Sequence, residues 1–349
     1  MQSKYSEYPP YMPVIKWQKW EKKALENVHS SIIPRIAPCI EIRTSQQHAD
    51  IITSLMSVWA HECYVDYSDP DGKLFKINNG SLLDTRLKEF FYFINQYYNL
   101  KKIIPTLSPQ DFSKLSIKNL KDLQKCINIA FRLRLEALVI GANHISVITN
   151  ALTFAHNHGF NVELIVDLRV TPTQFNQKAL NLFSQQLDSI SKIGFKSVRL
   201  LSGAFPDSIA TIKTGSGNFI RNDWLLWQNI SNLISNAKIG YADYGVLAPT
   251  WTEKVLTRRG SKVALKYTRD KDWLVLRAGG NKSSDSIALS QIFMVNHKAD
   301  FKGKGYSYGD NLIYDRANPA VLLKNKKCGH YQFTEAWSHH MAFVVKEQY

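Results

Sequence analysis

The chain has 349 residues, of which 44% are hydrophobic and 12% aromatic, so it carries enough apolar side chain for a large core and is not a disordered chain. Its 44 Lys and Arg residues outnumber its 29 Asp and Glu residues, and the resulting net charge of +15 favours a polyanionic partner. Its first thirty residues contain Lys, Glu and Pro throughout, and nowhere do eighteen apolar residues follow one another, so we expect neither a signal peptide nor a membrane-spanning helix. Four cysteines without a CxxC pair are typical of reduced thiols, and we therefore predict a cytoplasmic protein with no membrane partner.

The excess of positive charge is concentrated in two segments. Residues 250–349 contain 17 basic and 9 acidic side chains, and residues 101–134 contain 8 basic and 2 acidic ones. These segments predict two basic surfaces that could contact nucleic acid. The alternative is a basic protein without such a partner, because no nucleic-acid-binding motif accompanies the charge.

From residue 36 onward, short apolar or β-branched runs alternate with longer helical patterns, which is typical of βα units. The predicted strands are residues 36–42, 62–68, 102–107, 128–136, 162–170, 196–202, 239–248, 263–268 and 273–278. Helices are predicted at residues 143–158, 173–193 and 222–236, the first two followed by Gly159 and Gly194 in positions that suit a left-handed residue. This pattern predicts a (β/α)8-like TIM barrel, with a doubly wound open α/β sheet as the alternative.

Two Gly-rich segments bear on that alternative. KTGSGN (213–218) and GKGYSYG (303–309) lack the spacing of a P-loop or of a GxGxxG fingerprint between a strand and a helix. We therefore predict that both are turns and favour the barrel. Residues 1–20 are predicted to be an N-terminal extension that packs its aromatic residues on the barrel, and residues 21–349 to be one α/β barrel domain.

The strand pattern predicts a charged barrel interior. In residues 162–170, for example, Glu163, Asp167 and Arg169 alternate with apolar residues that must face the helices. Charged residues predicted to face the interior are Glu41, Arg43, Arg132, Arg134, Glu163, Asp167 and Arg169 and, with a less regular pattern, Asp66, Arg199, Asp243 and Arg277. Several lie late in their strands, and catalytic groups of such barrels lie at the carboxyl ends of the strands, which we call the barrel mouth.

Two hypotheses explain these charges. In the first, the arginines hold an anion, most naturally a phosphate because the guanidinium fork matches its oxygens, while Asp167, Asp243 or Glu41 acts as acid, base or metal ligand. No cofactor is specified, and Mg²⁺ is the metal to test. In the second, the charges form buried ion pairs that only shape the barrel. We favour the first hypothesis because charged groups gathered at one end of a barrel more often mark a functional site.

Several segments in order resemble one protein family. YMPVIKWQKWEKKAL (11–25), IAPCIEI (36–42), YADYGV (241–246), KYT and WLVLRAG (within 266–279), and a Trp before the HH pair (337–340) are similar to the Beta protein family, known from T4-like phage and from bacterial genomes. That family usually has Gly-Glu after the opening lysine and Arg before the YT, where this chain has Trp20-Glu21 and Lys266. Family-like positions are Tyr241, Asp243, Tyr244, Lys266, Tyr267, Trp273, Arg277, Trp337 and His340.

The resemblance implies a phage, prophage or anti-phage defence setting and brings no established reaction. Together with the charged interior it adds Tyr244, Lys266, Tyr267 and His340 to the candidate ligand-binding residues. The leading hypothesis is a barrel mouth that binds a phosphate-bearing ligand, a nucleotide or a nucleic-acid end, and hydrolyses it if the protein is an enzyme. The alternative is a non-catalytic nucleic-acid-binding or assembly subunit that works with partner proteins of a defence or phage complex.

Overall fold

A computed structural model describes residues 5, 7–41, 51, 54–55, 57–66, 92, 102–250, 262–329 and 331–349 of the chain. Eight parallel strands close into a barrel. In their order around the barrel they are β1 (Met12–Ile15), β2 (Cys39–Glu41), β3 (Cys63–Asp66), β4 (Ile103–Leu107), β5 (Asn128–Arg134), β6 (Asn161–Val170), β7 (Ser197–Gly203) and β9 (Gly240–Asp243). The strand between β7 and β9 in the chain, β8 (Gly215–Ile220), belongs to a second sheet. The predicted (β/α)8-like TIM barrel is confirmed, and the open sheet is excluded because β9 pairs with both β7 and β1.

Helices connect the strands and pack on the outside of the barrel or, in the case of α7 (Ser283–Asn296) and α8 (Tyr308–Ala317), on a second sheet. They are α1 (Lys19–Glu26), α2 (Pro109–Phe112), α3 (Ile117–Leu123), α4 (Ala142–Asn157), α5 (Gln177–Ser191), α6 (Asn222–Leu233), α7 (Ser283–Asn296), α8 (Tyr308–Ala317) and α9 (Tyr331–Phe343). The side chain of Asn176 caps α5 by accepting a 2.7 Å hydrogen bond from the backbone N–H of Ala179. Gly159 and Gly194 follow α4 and α5 with φ angles of +80° and +114°, which confirms their predicted left-handed conformation.

A second sheet, which has three antiparallel strands, lies outside the barrel. Its order is β10 (Ala264–Thr268), β11 (Asp272–Arg277) and β8 (Gly215–Ile220). One face, with Leu265 and Leu274, packs on Leu289 of α7 and Ile313 of α8. On the opposite face, Trp273 and Val275 belong to the large core outside the barrel wall. This sheet therefore lies between two helices and the barrel.

The barrel strands alternate as predicted. Ile129, Phe131 and Leu133 of β5 belong to the core between the barrel and its helices. Ala130 of β5 instead belongs to a separate apolar cluster inside the barrel, together with Ile165, Leu201 and the inward-facing apolar residues of the other barrel strands. The phase deduced for the strand at 128–136 and for its neighbour at 162–170 is thus correct, and this phase directs Arg132 and Asp167 into the interior.

Three sequence-based expectations about these elements are wrong. Met12–Ile15 forms a barrel strand inside the segment predicted to be an extension, and four residues with a proline gave too short a signal to recognise. The strands predicted at 263–268 and 273–278 form the second sheet, because a hairpin and a barrel strand have the same alternation. KTGSGN is not a turn throughout, since its residues from Gly215 onward pair with β11.

Among the described residues, none of the helices combines the length and the apolar composition that crossing a bilayer requires.

Candidate functional site

The interior of the barrel contains two charged layers separated by an apolar one. Ala130, Ile165 and Leu201 form part of the apolar layer. Glu163 and Arg199 lie on the amino-terminal side of it, whereas Arg132 and Asp167 lie on the side of the mouth. These four charges, which strand alternation predicted, are therefore inside the barrel, but they belong to two separate groups.

Arg132 is the centre of the layer at the mouth. Its guanidinium group donates to Asp167 Oδ2 from Nε at 2.8 Å, to Tyr244 Oη from Nη2 at 2.7 Å, and to Asp66 from Nη1. Glu41 Oε1 lies 3.4 Å from the same Nη1. Only 1% of Arg132 is exposed, so three carboxylates from three strands share one buried cation. Arg132 thus neutralises the floor of the mouth and is not open to a ligand.

Asp167 is fully buried and surrounded by donors. Besides Arg132, it accepts from Tyr244 Oη at 3.0 Å and from the backbone N–H of Arg169 at 2.6 Å, and Arg134 Nη2 lies 3.1 Å from Oδ2. Burial alone would raise the pKa of Asp167, but Arg132 and Arg134 hold it below its ordinary value. Asp167 is therefore an ionised acceptor whose oxygens are already occupied.

Arg134 differs from Arg132 because it lies at the rim. Its side chain is 18% exposed, and Asp167 engages its Nη2. Its Nε and Nη1 have no hydrogen-bond partner among the described residues. Unpaired donors that are shielded from water are costly unless a ligand accepts from them. Arg134 is thus the cation of the mouth best placed to bind an anion.

Lys16 follows β1 and completes the mouth. Its ammonium group forms an ion pair with Glu41 and lies 5.1 Å from the centroid of the Tyr244 ring. Lys16 is 4% exposed and Glu41 is 8% exposed. Sequence reasoning missed Lys16 because it placed the residue in the extension. The alternation of Met12, Val14 and Lys16 on one face was the signal that could have found it.

Arg169 comes directly after an irregularity in β6. The pairing with β7 shifts register between Asp167 and Arg169, and Arg169 adopts a φ of +59°. This left-handed backbone lets its own N–H turn back to Asp167. Non-glycine residues rarely adopt this conformation, and it is found disproportionately at functional sites. Arg169 thus supports the mouth at least through its backbone.

Arg199 lies inside the barrel, as its strand phase predicts, but at the opposite end from the mouth. Its Nη1 donates to Glu163 Oε2 at 2.5 Å, and Tyr64 Oη donates to the same oxygen at 2.8 Å. Arg199 lowers the pKa of Glu163 against the effect of burial. A ligand held by Arg134 would be separated from Arg199 by the apolar layer, so the two arginines do not form one site.

Asp243 and His340 are outside the barrel interior, which corrects the prediction that Asp243 faces it. In β9, Ala242 and the following Tyr244 point inward, so Asp243 points outward with Tyr241. Its carboxylate accepts from Tyr11 Oη at 2.6 Å, from Tyr241 Oη at 2.8 Å and from the backbone N–H of Gly245 at 3.0 Å, and it lies 2.9 Å from His340 Nε2. This sealed network joins the barrel wall to α9.

Charged groups in that network have displaced pKa values. Burial lowers the pKa of His340, although Asp243 opposes the effect. Asp243, despite its burial, has a lowered pKa because His340 and Tyr11 stabilise its charge. On the other side of the Tyr241 hydroxyl, Asp223 Oδ2 lies 3.0 Å from Oη, and burial raises the pKa of Asp223 to about 7. Asp223 was not predicted, since a carboxylate on a helix gives no signal of burial.

The remaining family-like candidates lie in the second sheet and not in the mouth. Tyr267 Oη donates to Asp310 at 2.7 Å, and its ring stacks on His339. Arg277 ends β11 and donates to the carbonyls of Ile209 and Ile212 at 3.2 and 2.7 Å, so it fastens a loop and does not face the interior. Lys266 lies on β10, where its ammonium group donates to the Val246 carbonyl at 3.1 Å. Arg43 is outside the described residues.

Metal binding has no support in the described part of the chain. There, three or more His, Cys, Asp or Glu side chains never gather closely enough to hold an ion. At the mouth itself, the guanidinium group of Arg132 occupies the space between Glu41, Asp66 and Asp167 that a cation would need.

Comparisons with known proteins match the chain to one family model and to solved structures that are only distantly similar. A model of the Beta protein family matches residues 11–346. None of the curated proteins matches the chain. The crystal structure of the Paramecium bursaria Chlorella virus arginine decarboxylase bound to agmatine is 11% identical, with a TM-score of 0.27, and the match covers 68% of this chain and 90% of that one. At this level the likeness indicates nothing about activity.

Proposed function

We propose that this chain, which belongs to the Beta protein family, binds a phosphate-bearing ligand at the mouth of its barrel. The ligand class is a nucleotide or the phosphorylated end of a nucleic acid. The observation that carries the proposal is the state of Arg134, whose Nε and Nη1 lack acceptors among the described residues while Asp167 holds Nη2. The N–H groups of two guanidinium nitrogens are thus left for an incoming anion.

Phosphate suits this arrangement because its oxygens accept charge-assisted hydrogen bonds from guanidinium N–H groups. The mouth also carries a small positive excess. Among the described residues of the mouth named above, Lys16, Arg132, Arg134 and Arg169 supply four positive charges, against three negative charges on Glu41, Asp66 and Asp167. An anion that binds here completes the charge balance instead of breaking an existing ion pair.

Asp167 acts in this proposal as a positioning residue. Its oxygens are occupied by Arg132, Arg134, Tyr244 and the backbone of Arg169, so it keeps the guanidinium of Arg134 in place. A hydrolytic step, if the protein is an enzyme, needs a carboxylate with a free oxygen. Glu41 has no free oxygen either, because Oε1 lies 3.4 Å from Arg132 Nη1 and Oε2 pairs with Lys16, so the contacts of the mouth support binding more than hydrolysis.

The test is a calorimetric titration with matched ligands. A short oligonucleotide with a 5′-phosphate and the same oligonucleotide with a 5′-hydroxyl are compared, together with ATP and pyrophosphate, each with and without Mg²⁺. We expect the phosphorylated ligands to bind and the hydroxyl oligonucleotide not to bind. Formation of a product during the titration would show that the site is also catalytic. Equal affinity for the phosphorylated and hydroxyl oligonucleotides would contradict a phosphate-binding mouth.

A non-catalytic nucleic-acid-binding subunit is the second candidate. It is favoured by Lys324 and Lys327, which are both exposed near two exposed leucines, Leu322 and Leu323. Such a subunit would hold the nucleic-acid backbone on this surface and could work with partner proteins of a phage or defence complex. That setting follows from the family resemblance and is proposed with it.

A further inference from the structure

A cavity of about 480 Å³ lies at the amino-terminal end of the barrel, opposite the mouth. Its lining comes from residues that precede five barrel strands or lie near their starts, among them Pro10 before β1, Glu62 before β3, Glu163 in β6, Arg199 in β7 and Ile239 before β9. A cavity of this size is large enough for a small organic ligand.

Arg199 is the buried cation of this cavity, and only 2% of the residue is exposed. Its Nη1 donates to Glu163 Oε2 at 2.5 Å and to Ser197 Oγ at 3.1 Å, and its Nε donates to the carbonyl of Pro10 at 3.4 Å. Its Nη2 has no acceptor among the described residues and is not one of the buried polar atoms without a partner, so it is open to the cavity. A guanidinium group that three acceptors hold in place thus presents one nitrogen to a ligand.

Two lysines at the rim of the cavity also lack a hydrogen-bond acceptor among the described residues. Lys196 Nζ lies 3.7 Å from Glu163 Oε1, and Lys238 Nζ lies 3.7 Å from Glu7 Oε2, which are distances of ion pairs and too long for hydrogen bonds. Both lysine side chains are about half exposed. Their ammonium groups can therefore turn towards an anion that Arg199 binds.

The charges of the lining favour a singly charged ligand. Four cationic side chains stand against the three carboxylates of Glu7, Glu62 and Glu163. One of the four, Lys192, already pairs with Asp188 at 2.5 Å. The excess of positive charge is thus one at most, so a carboxylate group balances the cavity, whereas a doubly charged phosphate group would leave negative charge beside the three carboxylates.

Apolar and aromatic side chains form much of the remaining lining. Tyr8, Phe195, Val198 and Ile239 belong to it. Sites for small organic molecules typically combine such a lining with a few polar groups that fix the orientation of the ligand. The body of a ligand would contact these side chains while its acid group reaches Arg199.

We propose that this cavity binds a small organic carboxylate with an apolar or aromatic body. The carboxylate accepts from Nη2 of Arg199, and Lys196 and Lys238 approach it from the rim. This site does not depend on the phosphate-binding mouth, because the apolar layer of the barrel interior lies between the two.

The experiment compares three ligands that share a phenylpropyl body, on the full chain. They are 4-phenylbutyrate, its uncharged amide and 3-phenylpropyl phosphate, and ligand-detected NMR titrations measure their affinities. We expect 4-phenylbutyrate to bind at least about tenfold more tightly than the amide, because a hydrogen bond between two charged groups is stronger than one to a neutral acceptor.

A variant that fills the cavity from its outer side locates the binding. Arg199→Met is unsuitable because it leaves Glu163 buried without its cation. Asn236→Trp instead places an indole ring at an exposed position of the lining, and Asn232→Trp, at an exposed position of α6 outside that lining, is the control. We expect Asn236→Trp to weaken the binding of 4-phenylbutyrate at least about tenfold and Asn232→Trp to leave it unchanged.

Melting temperatures show whether both variants are folded. If Asn236→Trp is not, Lys196→Met replaces it, with an expected loss of about threefold, since this cation is half exposed.

Equal affinity for 4-phenylbutyrate and its amide overturns the proposal, and so does binding of 4-phenylbutyrate that the cavity variant leaves intact. For the phosphate ester, only the part of the binding that Asn236→Trp weakens is assigned to the cavity, because the proposed mouth also binds phosphate. If that part is tighter than the binding of 4-phenylbutyrate, the carboxylate assignment is wrong. Failure of the mouth to bind phosphate changes none of these outcomes, since none of them involves Arg134.

Discussion

Arg134 and Arg132 are two residues apart on β5 and contact the same oxygen of Asp167, yet one is sealed and the other is at the rim. The side chain of Arg132 has no exposed surface, and that of Arg134 is 18% exposed. We therefore expect Arg132 to contribute mainly to the stability of the fold and Arg134 mainly to the binding of a ligand.

Arg132→Met should strongly destabilise the protein. The variant leaves Glu41, Asp66 and Asp167 without their shared cation, and breaking a buried ion pair costs about 3–5 kcal/mol. Urea unfolding of the variant and the wild type measures the loss. A free energy of unfolding within ~1 kcal/mol of the wild type would show that water already reaches this cluster.

Arg134→Ala should remove anion binding with little change in stability. The loss in free energy of unfolding is expected to stay below about 1 kcal/mol, because the side chain is partly solvated and Asp167 keeps its other donors. Calorimetry with the phosphorylated oligonucleotide and thermal unfolding give the two readings. Lys192→Ala is the control. It removes a cation that follows the carboxyl end of α5 and whose only described ion pair is on the surface, so it should change neither anion binding nor stability appreciably.

Asp223 should make the protein less stable as the pH rises from about 4 to about 7. Its folded pKa is raised to about 7, so in this range the folded state keeps a proton that the unfolded state releases. Asp223→Asn should abolish this part of the pH dependence, as measured by melting temperatures across the range. Asp315→Asn, on the exposed part of α8, should leave the profile as it is in the wild type.

Gly245→Ala should be more harmful than Gly303→Ala. Both glycines have positive φ angles, and this alone costs an alanine about 1–2 kcal/mol. A Cβ at Gly245 would also lie 2.4 Å from the Trp337 ring, whereas none of the atoms near Gly303 comes within 4 Å. Overpacking adds a further ~1–3 kcal/mol. Equal losses in the two variants would mean that α9 moves aside freely.

Lys324→Glu with Lys327→Glu should weaken nucleic-acid binding to all sequences alike. Phosphate contacts release counterions, so each lysine that binds a phosphate contributes about one to the salt slope. Affinity measured at several salt concentrations gives that slope, with Lys192→Glu as the control. Lys326 is left unchanged because its ammonium group holds the carbonyls of Arg316 and Asn318 at 2.7 and 2.8 Å. An unchanged slope would remove this surface from consideration.

Strand alternation predicted the barrel and the group around Arg132 and Asp167, because a side-chain period of two is a local property that a sequence shows directly. It did not predict the direction of Asp243, since β9 has only four residues and its register is set by β1 and β7. Nor could it show that Arg199 and Arg134 lie at opposite ends of the barrel, because the position of a residue along the barrel axis depends on the register between neighbouring strands. Lys16 was missed because the four-residue strand before it was not recognised, and Asp223 because a carboxylate on a helix gives no signal of burial.

The cluster around Arg132 has a consequence for how the chain folds. Its carboxylates belong to β2, β3 and β6, and the one cation that contacts all three comes from β5. A partly assembled barrel that ends before β5 would have to bury Glu41 and Asp66 without Arg132, or leave its interior open to water. The first six strands should therefore assemble as one cooperative unit, and half-barrel fragments of this chain should not fold by themselves.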